Sequence, residues 1–160
     1  MKKALLLLAI VLGLAAIVMA GVDFSGTWAV NAEKSDPARG GGGGGGGRGG
    51  GMGGGTELTI KQTGNEMVIS QTFGENTMET KYIMDGAEHT NTSQMGDTKY
   101  KAVLSGSTVS VTGTRTTQRG DMPLKVSYTL SDDGKTLTVA TARVGQDGTE
   151  TVRKQVYDKK

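Results

Sequence analysis

The sequence predicts an all-β protein: a single up-and-down antiparallel β-barrel of 8–10 strands with a long Gly-rich loop between strands 1 and 2. Three observations lead to this prediction. Short runs rich in Thr, Val and Ile recur about every ten residues, turn residues separate them, and apolar and polar residues alternate within them. Short strands at regular spacing are typical of β-sandwiches and barrels.

Ten segments have the length and composition of strands. In chain order they cover residues 26–31, 56–62, 66–72, 77–84, 88–94, 98–104, 107–114, 123–130, 135–143 and 149–157. The connections between them carry the Gly, Asn and Asp residues that tight hairpin turns require, as at Gly64-Asn65, Asp85-Gly86 and Asp133-Gly134. Because short links favour pairing between successive strands, we expect an antiparallel meander.

Alternation with a period of two gives the predicted sheet one apolar face and one polar face. The inward set is Met67, Ile69, Met78, Tyr82, Met84, Tyr100, Leu104, Val126, Tyr128 and Val139. The alternate positions carry mainly Lys, Glu and Thr, which suit a surface in water. A long meander of this kind tends to close on itself, because an open sheet leaves its edges and its apolar face uncovered.

Residues 1–20 have the features of a secretory signal peptide. Lys2 and Lys3 form the charged start, an apolar run begins at Ala4, and small residues end at Ala20. We expect cleavage before Gly21 and a secreted or periplasmic protein. The alternative is an uncleaved anchor, since this apolar run is at the short end of the roughly 17 to 25 residues that span a bilayer.

Composition narrows the class of protein further. The two lysines of the leader account for the excess of 18 basic over 16 acidic residues, so the mature chain is formally neutral and predicts no nucleic-acid partner. About 140 residues, 21–160, suit one domain. The absence of cysteine excludes disulfides and a lipoprotein anchor. We expect a monomer with no stable membrane insertion after cleavage.

Residues 38–55 are almost entirely glycine and predict a disordered loop, because they cannot bury enough surface to offset the entropy of ordering. The segment has only two arginines and no aromatic residue, unlike RNA-binding Arg-Gly-Gly boxes. No Lys-Ser/Thr pair closes it, so it does not match a phosphate-binding loop either.

The motif Phe24-x-Gly26-x-Trp28 resembles the first strand of lipocalins and the broader calycin group. The mature chain outside the glycines is similar to small bacterial secreted lipocalin-like proteins, in the stretches "DFSGTW", "EKSD", "MDGAEHTNT" and "VYDKK". The resemblance implies that Trp28 plugs the closed end of the barrel under a basic side chain of the last strand. Arg153 is the best-placed candidate and Arg143 the second. It also implies a first loop that lies over the open mouth, as a lid or as a solubilising spacer.

The end of the chain, "KQVYDKK", resembles intracellular fatty-acid-binding proteins, in which Arg-x-Tyr on the last strand holds the lipid carboxylate. The matching residues here are Gln155-Val156-Tyr157. Because glutamine replaces the arginine, the resemblance does not extend to that carboxylate clamp.

Residues suited to catalysis are scarce. His89 is the only histidine and there is no cysteine, which argues against His/Cys metal sites and against Ser-His or Cys-His pairs. On a strand, Glu88 and His89 point to opposite faces. The remaining acids lie at outward or turn positions. We therefore predict no catalytic residue, no metal and no cofactor, and a protein that is not an enzyme.

A barrel lined by methionine and tyrosine suits a small hydrophobic or amphipathic molecule. The candidate ligand-binding residues are Met67, Met78, Tyr82, Met84, Tyr100 and Tyr128. The alternative is a filled barrel that serves as a structural or interaction module of the cell envelope. A connected void of about 300 Å³ or more would favour binding over the filled core.

Overall fold

A computed structural model describes residues 21–37, 57–73, 76–93, 96–118, 120–144 and 148–160. The predicted signal peptide and the Gly-rich loop lie outside these ranges. Ten strands follow one another: β1 Gly26–Asn31, β2 Glu57–Thr63, β3 Glu66–Phe73, β4 Asn76–Ile83, β5 Asp85–Ser93, β6 Gly96–Ser105, β7 Thr108–Thr117, β8 Gly120–Leu130, β9 Thr136–Val144 and β10 Glu150–Lys159. None of the described residues forms a helix long and apolar enough to cross a membrane.

The strands form one antiparallel sheet in the order β4-β3-β2-β1-β10-β9-β8-β7-β6-β5. The first and last strands pair through Val30 and Tyr157, which brings the two ends of the meander together. This pairing continues beyond β1, because Asp36 exchanges hydrogen bonds with the Lys154 backbone. The prediction of an up-and-down barrel is therefore confirmed.

Each end of the barrel has a distinct character. We call the end at which β1 begins the base and the end at which β1 stops and β2 begins the mouth. Tight turns at Gly64 and Gly106 lie at the base. Because β1 ends at Asn31 and β2 begins at Glu57, both at the mouth, the position predicted for the Gly-rich connection is the mouth.

Between β4 and β5 the barrel is not closed by a β-ladder, and we call this gap the seam. Only Met84 links the two strands. Gly86 has a φ of 76° inside β5, and the register with β6 shifts between Asp85 and Glu88. The expected Asp85-Gly86 hairpin is thus wrong: these residues form an irregularity within β5 that turns the strand away from β4.

Side chains take the place of the ladder across the seam. The Asn91 amide donates to the Lys81 carbonyl at 2.7 Å. The Ile83 backbone N–H donates to the Tyr100 hydroxyl at 3.2 Å. The first of these hydrogen bonds joins the edges of β4 and β5, and the second joins β4 to β6. At the seam, individual side-chain hydrogen bonds therefore replace a continuous ladder.

The core consists of the inward side chains of all ten strands. Eight of the ten predicted inward residues are buried, and Leu104 packs against them in part. Met78 is the exception, with 42% of its surface exposed. It shares the inner face of β4 with Tyr82, but it lies near the mouth on a strand that borders the seam, so no neighbouring strand covers it on that side.

Candidate functional site

The base of the barrel is closed by Trp28, which is fully buried. Its indole N–H donates to the Phe24 carbonyl at 3.0 Å. The Lys159 ammonium lies 5.2 Å from the ring centroid, within range of a cation–π interaction. A Cβ at Gly26 would lie 2.8 Å from Lys159 Cε, so glycine at this position leaves room for the lysine to cross the ring.

Arg153 does not occupy the position expected for it. The register of β1 and β10 sets Trp28 opposite Lys159, whereas Arg153 pairs with Thr141 of β9 nearer the mouth. Arg143 also lies at the mouth end, opposite Thr151. The basic side chain over the tryptophan is therefore Lys159, which corrects the assignment of Arg153 to the plug.

One inward glutamine at the base has a structural role. The Gln62 carbonyl oxygen accepts from the Phe24 backbone at 2.9 Å, and its amide donates to the Val22 carbonyl at 3.1 Å. These hydrogen bonds fix the segment that precedes β1 over the base. Gln62 is thus an inward polar residue whose bonding capacity is used by the fold.

All four tyrosines of the chain are buried in the barrel. The Tyr82 ring packs edge-on against Tyr100 at a centroid distance of 5.1 Å and lies 6.2 Å from Tyr128. Burial raises the pKa of Tyr82 to about 12 and that of Tyr128 well above its ordinary value. Burial also raises the pKa of Tyr157, while the nearby Arg153 acts in the opposite direction. These hydroxyls are neutral at physiological pH.

Between the two walls of the barrel, β3–β4 on one side and β8–β10 on the other, lies a cavity of about 20 Å³. Three aliphatic side chains line it, Ile69, Val126 and Val139, together with six polar ones, Gln71, Thr80, Tyr128, Thr141, Gln155 and Tyr157. This volume suits one water molecule and is far below the roughly 300 to 1,000 Å³ of small-molecule sites. In this conformation the cavity is closed to a lipid-sized guest.

The polar side chains that line the cavity are not fully hydrogen-bonded within the protein. Gln155 is only 6% exposed, and the Tyr157 hydroxyl is buried without a hydrogen-bond partner. Burying such a hydroxyl without a partner costs about 1 to 3 kcal/mol. Gln62 shows that inward amides elsewhere in this barrel are satisfied.

The predicted ligand-binding residues and the cavity overlap only in part. Met67, Tyr82, Met84, Tyr100 and Tyr128 are buried, and Met78 is exposed. Of these six, Tyr128 alone lines the cavity. Sequence reasoning did not assign Gln71, Thr80, Thr141, Gln155 or Tyr157 to the site. A signal existed, because each is a polar residue at an inward position of the strand period.

His89 has a local structural role. Its Nε2 lies 2.9 Å and 3.1 Å from the two carboxylate oxygens of Asp85, and its ring centroid lies 5.8 Å from that of Tyr100. The hydrogen bond from His89 lowers the pKa of Asp85. The pair braces the irregular start of β5. The described residues contain no group of three or more His, Cys, Asp or Glu that could hold a metal ion.

Solved structures share this architecture at low sequence identity. The REP1-NXSQ fatty acid transporter superposes with a TM-score of 0.55 and 12% identity, over 86% of this chain and 96% of that one. Secretory abundant heat soluble protein 4 from Ramazzottius varieornatus has a TM-score of 0.55 and 16% identity, over 88% and 96%. Apo lipid binding protein 8 from Caenorhabditis elegans has a TM-score of 0.56 and 9% identity, over 86% and 95%.

No protein-family model matches the chain, and no curated protein matches it. The structural neighbours are barrels of the lipocalin and fatty-acid-binding type, and the chain has their fold. At these identities the likeness establishes the fold alone.

Proposed function

We propose that the protein is a non-enzymatic binding protein that holds a small hydrophobic or amphipathic molecule inside the barrel. The observation that carries this proposal is the polar lining of the cavity, above all the hydroxyl of Tyr157, which is buried without a hydrogen-bond partner. Packing alone would favour apolar residues at these positions. A buried polar group that the protein itself does not satisfy is expected where a ligand completes its hydrogen bonds. The names of two structural neighbours, a fatty acid transporter and a lipid binding protein, support a lipid-like guest.

Binding on this proposal requires the barrel to open, because the cavity of about 20 Å³ holds no more than a water molecule. The seam is the natural place for that movement, since no β-ladder joins β4 to β5. A ligand would then stabilise an open form that is a minor state of the free protein.

A paired change in the lining tests the proposal. We expect the free energy of unfolding of the Tyr157→Phe/Gln155→Leu variant to be higher by about 1 kcal/mol, because the variant removes a hydroxyl that is buried without a partner and a buried amide. The same variant should bind 1-anilinonaphthalene-8-sulfonate roughly three- to tenfold more weakly, since hydrogen bonds to the probe are lost. Urea denaturation and fluorescence titration measure the two effects.

Gln62→Leu is the matched control, because it removes an inward glutamine whose amide is already bonded within the protein. It should lower stability and leave the affinity for the probe unchanged. A lining variant that lost stability and kept the affinity of the parent would contradict the proposal.

The small cavity favours a second candidate, a filled barrel that acts as a structural or interaction module of the cell envelope. Its signature is the absence of saturable binding: neither the parent nor any variant would take up the probe at a stoichiometry of one.

We also propose that the protein is secreted or periplasmic, on the strength of the leader sequence in residues 1–20. After expression in a host with signal peptidase, intact-mass measurement of the exported protein should give a chain that starts at Gly21. Recovery of the full-length chain in the membrane fraction would support the uncleaved anchor instead.

A further inference from the structure

The outer face of the barrel has a small apolar area on its last two strands. Outward positions of the other described strands carry mainly Lys, Asp, Glu, Ser and Thr. On β9, by contrast, three successive outward positions are apolar: Ala140, Ala142 and Val144. Val152 of β10 lies opposite Ala142 in the register. Val144 is 48% exposed and Val152 is 53% exposed, so about half of each side chain is open to water.

Two opposite charges lie on either side of this apolar area. Along β10, Glu150 lies one outward position nearer the mouth than Val152, and Lys154 lies one outward position nearer the base. The register with β9 forms three rows, which we call the β9–β10 patch: Glu150 with Val144, Val152 with Ala142, and Lys154 with Ala140. The patch therefore has an acid at one end, an apolar centre and a base at the other end.

The two charges of the patch are too far apart to neutralise each other within one chain. Residues four positions apart on a strand are separated by about 13 Å. The Glu150 carboxylate contacts the Lys125 ammonium of β8 at 3.1 Å, and both side chains are about half-exposed. An exposed pair of this kind contributes little to stability, so Glu150 remains accessible to a second cation.

A second copy of the chain, rotated by 180° about an axis that crosses the strands at Val152, complements this pattern. The rotation sets the two β10 strands antiparallel. Glu150 of each copy then faces Lys154 of the other, and the apolar centres meet between these two ion pairs. The same patch serves both copies, as a two-fold interface requires. A rotation axis along the strands would instead bring like charges together, so the charges select the antiparallel arrangement.

The contact is small, because the convex outer surface of a barrel limits it to a few strands. Neighbouring strands are about 4.8 Å apart, and successive outward positions are about 6.7 Å apart. Three rows therefore cover on the order of 300 Å² in each copy, whereas a stable interface covers about 800 Å² per partner. Sheets that pack face to face lie about 10 Å apart, a distance that facing Glu and Lys side chains bridge. Association is thus weak and depends on concentration.

We propose that the β9–β10 patch is the contact surface of a weak two-fold homodimer, in which reciprocal Glu150–Lys154 ion pairs flank an apolar centre at Ala142 and Val152. The two barrels lie antiparallel, and their mouths open in opposite directions. At low concentration the chain is the monomer expected from its sequence. This inference does not depend on the proposed binding function.

Reversal of single charges tests the dimer. Sedimentation equilibrium of the mature protein at low salt, from about 10 µM to about 1 mM, should show a monomer–dimer equilibrium with a dissociation constant inside that range. Glu150→Lys and Lys154→Glu should each raise this constant about tenfold or more, because each variant sets like charges against each other at both ends of the contact. Circular dichroism checks that the variants are folded.

Mixing the two variants separates the proposed contact from a general effect of charge. In an equimolar mixture of Glu150→Lys and Lys154→Glu, every reversed charge meets its opposite, so heterodimers should form about as tightly as the parent dimer. The double variant Glu150→Lys/Lys154→Glu should regain self-association for the same reason. The matched controls Glu79→Lys and Lys99→Glu make the same charge changes at exposed outward positions of β4 and β6 and should keep the dissociation constant of the parent.

A parent that stays monomeric up to about 1 mM would overturn the dimer and assign the patch to a different partner. Single variants that self-associate as the parent does, or a mixture that fails to associate, would overturn the proposed pairing of charges. Because none of these measurements involves a guest in the barrel, their failure would leave the binding function standing.

Discussion

Replacing Trp28 by alanine should lower the free energy of unfolding by about 3 to 5 kcal/mol, the range for truncating a large buried aromatic residue. The indole is fully buried, and its N–H satisfies the Phe24 carbonyl at 3.0 Å. Alanine would leave a cavity at the base, a carbonyl without its donor, and Lys159 without the ring beneath its ammonium. Urea denaturation followed by circular dichroism measures the loss. A change below about 1 kcal/mol would show that Trp28 does not close the barrel.

Two further substitutions distinguish the contribution of the Trp28 ring to stability from the contributions of other residues of β10. Lys159→Ala should cost about 0.5 to 1 kcal/mol, the contribution of a cation–π contact at a site open to water. Val152→Ala truncates a side chain that is 53% exposed on the outer face of β10 and should change stability by no more than about 0.5 kcal/mol. A loss in Val152→Ala as large as that in Trp28→Ala would contradict the special role of the base.

The alternation of apolar and polar residues with a period of two was enough to predict the barrel, because every strand buries one face and exposes the other. The alternation predicted the ends of the strands near the mouth less reliably. The strand predicted to end at 114 runs to Thr117, and the one predicted to begin at 123 begins at Gly120. Most of these residues are polar and they lack the apolar alternation, yet β7 and β8 remain paired through them as far as Thr117 and Gly120. Backbone pairing does not require an apolar side chain.

The seam could not be predicted from residue types. Asp85-Gly86 carries the same turn signal as a hairpin, and Gly86 does adopt a positive φ. Whether such a glycine lies between two paired strands or inside one strand depends on the closure of the whole barrel. The hydrogen bonds from Asn91 and to Tyr100 join residues that are 10 and 17 positions apart, and no local pattern indicates them.

Assignments within the interior failed for a different reason. A side chain's face follows from the period, but its neighbour across the barrel follows from the register of β1 and β10. That register placed Lys159, not Arg153, beside Trp28. The polar lining of the cavity was not predicted, because Gln155 was considered only as a replacement for the arginine of a carboxylate clamp and not as a binding group in its own right. The strand period alone already placed them inside.

Raising the pH from about 9 to about 12 should destabilise the protein by several kcal/mol through its buried tyrosines. Burial raises the pKa of Tyr82 from 10.0 to about 12, and it raises the pKa of Tyr128 well above its ordinary value. Below about pH 10 both are protonated in the folded and unfolded chains, so stability is unaffected. Above that pH the unfolded chain releases protons that the folded chain retains, and stability therefore falls as pH rises, until the folded pKa is reached.

Each retained proton makes the free energy of unfolding fall by about 1.4 kcal/mol per pH unit, so Tyr82 alone accounts for about 2 to 3 kcal/mol between its two pKa values. Urea denaturation at several pH values measures the slope, and absorbance at 295 nm follows tyrosine ionisation. In Tyr82→Phe the slope above pH 10 should be shallower than in the parent by about 1.4 kcal/mol per unit, because surface lysines titrate equally in both proteins. Identical slopes in the parent and in Tyr82→Phe would show that water reaches the Tyr82 hydroxyl and that the barrel interior is not closed as described.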